Sequence, residues 1–304
     1  MGATEAMKKK LIYCKKSRRL PKMKTLRNLS IFGCLFLLVF IPLRAESLPP
    51  PSPAGGNYLA LDGVDDHAIL DLEPFALLET FGLLLPKDTD AFTFEAWIYP
   101  TTLPKKIDAV ILSQQVRLYF RNLGPEGGLR LMGGAYLARA RGHAAMAFGM
   151  VKLSPNQWNH VAFQGGKGLN TAVIVNDVAR ISQGGQGITL ADDLSHAEHP
   201  QNFTIGGFGE KIQSRIHGDH FWGHFSGYID EVRISKVARY NIAKGRFTPP
   251  KKREKFKNDA KTVALWHFDE PSGTRKFSDT SGNAYHLVGK NGAKTDGALA
   301  IEAH

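Results

Sequence analysis

Three stretches of this chain carry residues whose types and spacing could do chemistry. The first is YIDEVRIS, residues 228–235, where Asp230 and Glu231 stand side by side in an apolar, β-branched run. Two carboxylates can act as general acid and base, and retaining glycoside hydrolases hold theirs about 5 Å apart across the bond they cut. Adjacent residues of a strand point to opposite faces, so the spacing predicts that these two do not share a substrate. The E-x-D-x-x-E pattern that places carboxylates at alternating positions of one strand is absent, and FEAW supplies a lone Glu95. The expected roles are structural: Glu231 and Arg233 share a face, and Ile229, Val232 and Ile234 pack. Asp230 keeps a second reading as a metal ligand.

The second stretch is LDGVDDH, with Asp62, Asp65 and Asp66 around Gly63. Asp and Gly favour tight turns through local side-chain bonds, while clustered carboxylates with turn carbonyls also suit calcium, which takes six to eight oxygens. Asp62 and Asp66, with Asp230, are the candidate ligands. SDTSGN, with Asp279 and Asn283, is a second acidic turn. The third stretch is HGDHFWGH, part of a region that holds His196, His199, His217, His220 and His224. Zinc needs three or four such ligands in fixed geometry; without a cysteine nearby, a solvated loop or polar contacts to a sugar fit better. A sugar site needs exposed rings with polar neighbours. The loop-like setting of Trp222 beside His220, and Tyr136 beside Arg139, are the candidate ligand contacts. Trp97, Trp158 and Trp266 lie in strand-like runs and are expected to pack.

The elements that would position these residues are short strands broken by Gly, Pro, Asn and Asp, the pattern of an all-β sandwich. AFTFEAWIYP puts Phe92, Phe94, Ala96 and Ile98 on one face and Thr93, Glu95, Trp97 and Tyr99 on the other. QWNHVAFQG and TAVIVNDVAR read as a hairpin across GKGLN. Residues 73–88 read as a short helical insertion, and residues 142–153 are ambiguous.

Charge is unevenly placed. The formal net charge is +11, yet the first 47 residues hold 11 basic and 2 acidic side chains, and the rest is nearly balanced. That leading segment has the form of an export signal: Lys24 and Arg27, the apolar LSIFGCLFLLVFIPL, then Ala45-Glu46-Ser47. The apolar run is 15 residues, short of the roughly 20 that span a bilayer, so cleavage is expected, with a membrane anchor only if it is retained. Met23 is a candidate true start. Cys14 and Cys34 are the two cysteines, so the mature chain would have no disulfide. The expected organisation is residues 1–47 as a disordered basic extension and signal, 48–56 as a Pro/Gly linker, 57–295 as one sandwich domain, and 296–304 as a tail. A secreted or cell-envelope location follows, and balanced charge argues against a nucleic-acid partner. No G-x-S-x-G elbow occurs, and GGQG and GGFGE lack the strand–helix setting of a phosphate loop.

Five landmarks in order, YLALDGVDDHAIL, AFTFEAWIYP, QWNHVAFQ, GYIDEVRISKVARY and ALWHFDEPSGTRKFSDTSGN, resemble the laminin-G-like, concanavalin A-type sandwiches, in particular exported bacterial ones that share the FTPP link. In many members of that family the WHFDE piece precedes the LDGVDD piece; here it comes last. The resemblance implies a two-sheet antiparallel jelly roll that binds or spaces, often with calcium. It points to a non-catalytic module for a glycan or a cell-surface partner. Rival expectations are an adhesive protein-contact module of the envelope and a glycan-active hydrolase or lyase, since one fold hosts many functions.

Overall fold

A computed structural model describes residues 51–71, 84–85, 89–101, 107–137, 144–182, 202–208, 215–217, 220–242, 250 and 254–297. The expected helical insertion, apart from Leu84 and Leu85, lies outside these residues, as do the leading segment and residues 298–304. Among the described residues no helix is long and apolar enough to cross a membrane.

The strands run in the order β1 (Tyr58–Asp62), β2 (His67–Leu70), β3 (Ala91–Pro100), β4 (Ile107–Ser113), β5 (Val116–Asn122), β6 (Leu129–Leu137), β7 (Ala144–Leu153), β8 (Asn159–Gly166), β9 (Thr171–Val175), β10 (Val178–Ser182), β11 (Thr204–Ile205), β12 (Arg215–His217), β13 (His220–His224), β14 (Ser226–Ser235), β15 (Thr262–Trp266), β16 (Lys276–Phe277), β17 (Leu287–Lys290) and β18 (Lys294–Asp296). They form two sheets of a sandwich. The first has the order β10-β9-β8-β3-β14-β1-β18, with β15 also on β14; the second runs β16-β17-β2-β11-β4-β5-β6-β7, with β12 and β13 attached through β4. Pairing is antiparallel except where β13 lies parallel to β4. Helix is confined, among the described residues, to one turn at Gly124–Gly127. The ambiguous stretch is strand β7, and the hairpin expected across GKGLN is β8–β9.

The alternation read from AFTFEAWIYP holds. Phe92, Phe94, Ala96 and Ile98 join the inter-sheet core with Val161, Phe163, Leu118, Phe120, Ile229 and Trp266. Phe203 stacks on Trp266 there at 5.3 Å, and Gly133 is small because the Phe163 ring occupies the space a Cβ would need, 2.4 Å away. Burial of this apolar surface is the main stabilising term in a chain of this size.

The other face of the first sheet is covered in part. Tyr240 and Ile242 pack over Ala162, Ala172 and Ile174, and Phe256 packs with Trp97 and Leu265. The stretch expected as a free linker also docks here: Ser52 and Ala54 are buried, and the Ser52 hydroxyl donates to Asp230.

Candidate functional site

The outer face of the first sheet carries the polar side chains that could do chemistry, and each is held by the segments that cover it. Glu95, at the centre of β3, is fully buried. It accepts from Arg233 at 2.8 Å, sits 3.3 Å from His160 and accepts from the Tyr240 hydroxyl. Burial pushes its carboxyl up, but the bond to His160 and the Arg233 charge outweigh that and hold it at about 2. Arg239, beside this group, donates to Asp259 at 2.9 and 3.0 Å. That pairing pulls the Asp259 carboxyl well below the usual range.

Asp230 and Glu231 depart from the expected alternation. Across from β3, Asp230 pairs with Trp97 and Arg233 with Glu95, so one extra residue is fitted into β14. Glu231 takes φ of 51° at this bulge. Ile229 and Val232 both reach the core, and the two acids between them both turn away from it. Glu231 accepts from the Phe256 amide at 2.6 Å and meets His267 at 2.7 Å; Asp230 accepts from Ser52 and from the Glu231 amide. Two-residue periodicity predicts opposite faces only where no bulge intervenes. Burial drives the Asp230 carboxyl well above its ordinary range, and the side chain lies clamped under the Ser52 segment.

Asp230 is also separated from the other candidate metal ligands. In the β1–β14 register Asp62 faces Ser226 and Leu59 faces Ile229, which puts Asp230 at the opposite end of β1. Asp62, Asp65 and Asp66 do cluster, each offering an oxygen within 4.8 Å of the others. Asp62 Oδ1 accepts from the amides of Val64, Asp65 and Asp66 at 2.7–3.4 Å. Asp66 accepts from Asp62 and Gly292. These bonds explain the residues as turn formers. The donor set, hard carboxylate oxygen only, also suits calcium rather than a softer metal. Asp279 is likewise occupied, accepting from Leu265, Ser281 and Tyr285.

Trp222 is in strand β13, and it is only 7% exposed. It packs with Val110, Tyr119, Met132 and Phe208, and the Arg117 guanidinium lies 4.3 Å from its ring. Gly and His around it suggest a loop, but parallel pairing with β4 makes a strand. Tyr136 and His220 fall in β6 and β13, and Arg139 lies outside the described residues.

Partly exposed rings are found elsewhere. At one end of the outer face Tyr58, Tyr99, Trp158 and Tyr228, from β1, β3, the start of β8 and β14, form a contiguous set. Centroids are 4.9 Å for Tyr58–Tyr228, 5.7 Å for Tyr99–Trp158, 5.8 Å for Tyr58–Trp158 and 6.0 Å for Tyr99–Tyr228, all tilted or edge-on. Tyr58 is buried beneath the others, which are only partly buried. Trp97 and Trp266 pack as expected, and Trp158, partly buried, packs against the Trp97, Phe256 and Leu265 cluster. The sequence signal for this set was the outward register of Tyr58, Tyr99 and Tyr228, which three separate strands obscure.

Residues 77–240 match the family described as the concanavalin A-like lectin/glucanases superfamily, of the laminin-G type. That is more than half of the chain, and the chain belongs to this family. Among solved structures it is similar to a candidate carbohydrate-binding protein from Bacteroides ovatus, at 19% identity and a TM-score of 0.49, over 81% of this chain and 61% of that one. This chain thus spans less than two thirds of that relative. It is also similar, at 9% identity and a TM-score of 0.25, to a structure from work on ganglioside-dependent cell entry of botulinum neurotoxin type C; that match covers 81% of this chain and 86% of the other. No curated protein sequence matches the chain.

Proposed function

We propose that this protein is an exported, non-catalytic carbohydrate-binding module of the cell envelope or its surroundings. One observation carries the reading: on the outer face of the first sheet Glu95, Asp230 and Glu231 are sealed while the rings of Tyr99, Trp158 and Tyr228 are partly exposed. Glu95, Asp230 and Glu231 are fully buried and each is bonded to protein donors, so none of the three is placed to serve as an acid or base towards a substrate. The partly exposed rings of Tyr99, Trp158 and Tyr228 offer a surface suited to holding a ligand. The apolar leader read from the sequence supports export. Family membership supports a sandwich that binds. If calcium is bound, Asp62, Asp65 and Asp66 supply its carboxylate oxygens, and its role at that turn is structural.

The test is a polysaccharide array probed with the full chain, once with calcium and once with chelator, alongside reducing-sugar release from the same polymers. Retention without sugar release is the expected result. Release of reducing ends, or no retention on any polymer, would overturn it; retention on envelope protein alone would favour an adhesive module.

A further inference from the structure

Resting on that reading, we infer that the ring set at the end of the first sheet is the sugar site, and that it stacks the C–H face of a neutral pyranose on Trp158, with Tyr99 meeting the ligand beside it at a steep angle. Three observations lead there. The rings come from three strands and the residue just before β8, distant in sequence, yet they converge at one spot with centroids 4.9–6.0 Å apart. Trp158 packs against the buried cluster of Trp97, Phe256 and Leu265, which restricts its ring before a ligand arrives. Rings at this spacing touch one another, which leaves no cage for a trimethylammonium group and leaves a stacking surface instead.

The surroundings match the rest of a pyranose. Such a ring is apolar on its C–H face and rimmed by hydroxyls. Around the platform, Asn156 and Gln157 are exposed amides that precede Trp158, and the Thr101 and Ser226 hydroxyls pair 3.1 Å apart just beyond Tyr99 and Tyr228. On the neighbouring β18, Lys294 and Asp296 line up with Ala60 and Tyr58. The rim therefore bears both signs, which suits an uncharged ligand better than a uronate or a cation. Beneath the rings the Tyr58 hydroxyl is buried and has no hydrogen-bond partner among the described residues.

The experiment uses the full chain and follows tryptophan fluorescence during titration with cello-, laminari-, xylo-, manno- and chitohexaose, and with choline. At least one hexaose is expected to bind. Trp158→Ala and Tyr99→Ala should each weaken it by about tenfold or more, as truncation of a central aromatic contact does, with circular dichroism unchanged. Trp158→Tyr, which keeps a ring, should stay within a few-fold of wild type. If a hexaose binds and the two alanine variants fold and bind it as tightly, the platform is not the site and the carbohydrate reading stands. If no hexaose binds, that reading falls and the site with it. If choline alone perturbs the fluorescence, the ligand class is wrong.

Discussion

Glu95→Gln is the sharpest probe of how the outer face is sealed. The substitution keeps shape and removes charge from a side chain that meets Arg233, His160 and Tyr240 with no exposure. The Glu95 carboxyl is held at about 2 against an ordinary 4.5. A depressed carboxylate contributes stability that is present above its unfolded value and lost as pH falls through its folded value. A shift of that size corresponds to about 3 kcal/mol at neutral pH, which would lower a urea midpoint by about 1 M or more. Urea unfolding of wild type and variant would be followed from about pH 7 to about pH 2. The variant should be less stable at neutral pH, and the gap should close between about pH 5 and pH 2 as wild-type Glu95 takes up its proton. Equal midpoints at neutral pH, or a gap that does not narrow in acid, would refute the claim that Glu95 is a paired charge holding the Tyr240 segment.

Asp230→Asn should behave in the opposite sense. The folded carboxyl is raised by burial, so its stabilising contribution is present below the ordinary 3.8 and lost as pH rises through the raised value; thermal melts should match near pH 4 and favour the variant near pH 8, and equal melts at both would refute the upward shift. Gly133→Ala should cost about 1–3 kcal/mol by overpacking against Phe163, read as a fall in melting temperature; an unchanged melt would show that the ring can give way. Calcium in the millimolar range should raise the melting temperature, and Asp62→Asn and Asp65→Asn should remove the increment; identical melts with calcium and chelator would leave the three acids as turn formers alone.

Much of the sandwich was legible because β-sheet alternation is a short-range property. Phe92, Phe94, Ala96 and Ile98 reveal their face in the sequence itself, and GKGLN marks the β8–β9 hairpin. Two departures came from backbone geometry that composition does not encode. The bulge at Glu231 turned two acids to one face, and pairing with β4 converted the Gly- and His-rich stretch around Trp222 into a buried strand. The docked Ser52 segment was hidden for another reason: a Pro/Gly run reads as a linker until a distant carboxyl, here Asp230, gives it a partner. The ring platform is least legible of all. Tyr58, Tyr99, Trp158 and Tyr228 are separated by tens of residues, and only the order of β1, β14, β3 and β8 across the sheet brings them into one set.

The pairing of β1 with β18 has a topological consequence. Tyr58 lies opposite Asp296 and Ala60 opposite Lys294, and Gly297 is so close to Asn57 that a Cβ there would fall 2.0 Å from its Oδ1. The first and last strands, β1 and β18, are therefore neighbours at one edge of the first sheet. An artificial gene that links Gly297 to Asn57 and opens ahead of β15 should encode the same sheets and the same ring platform.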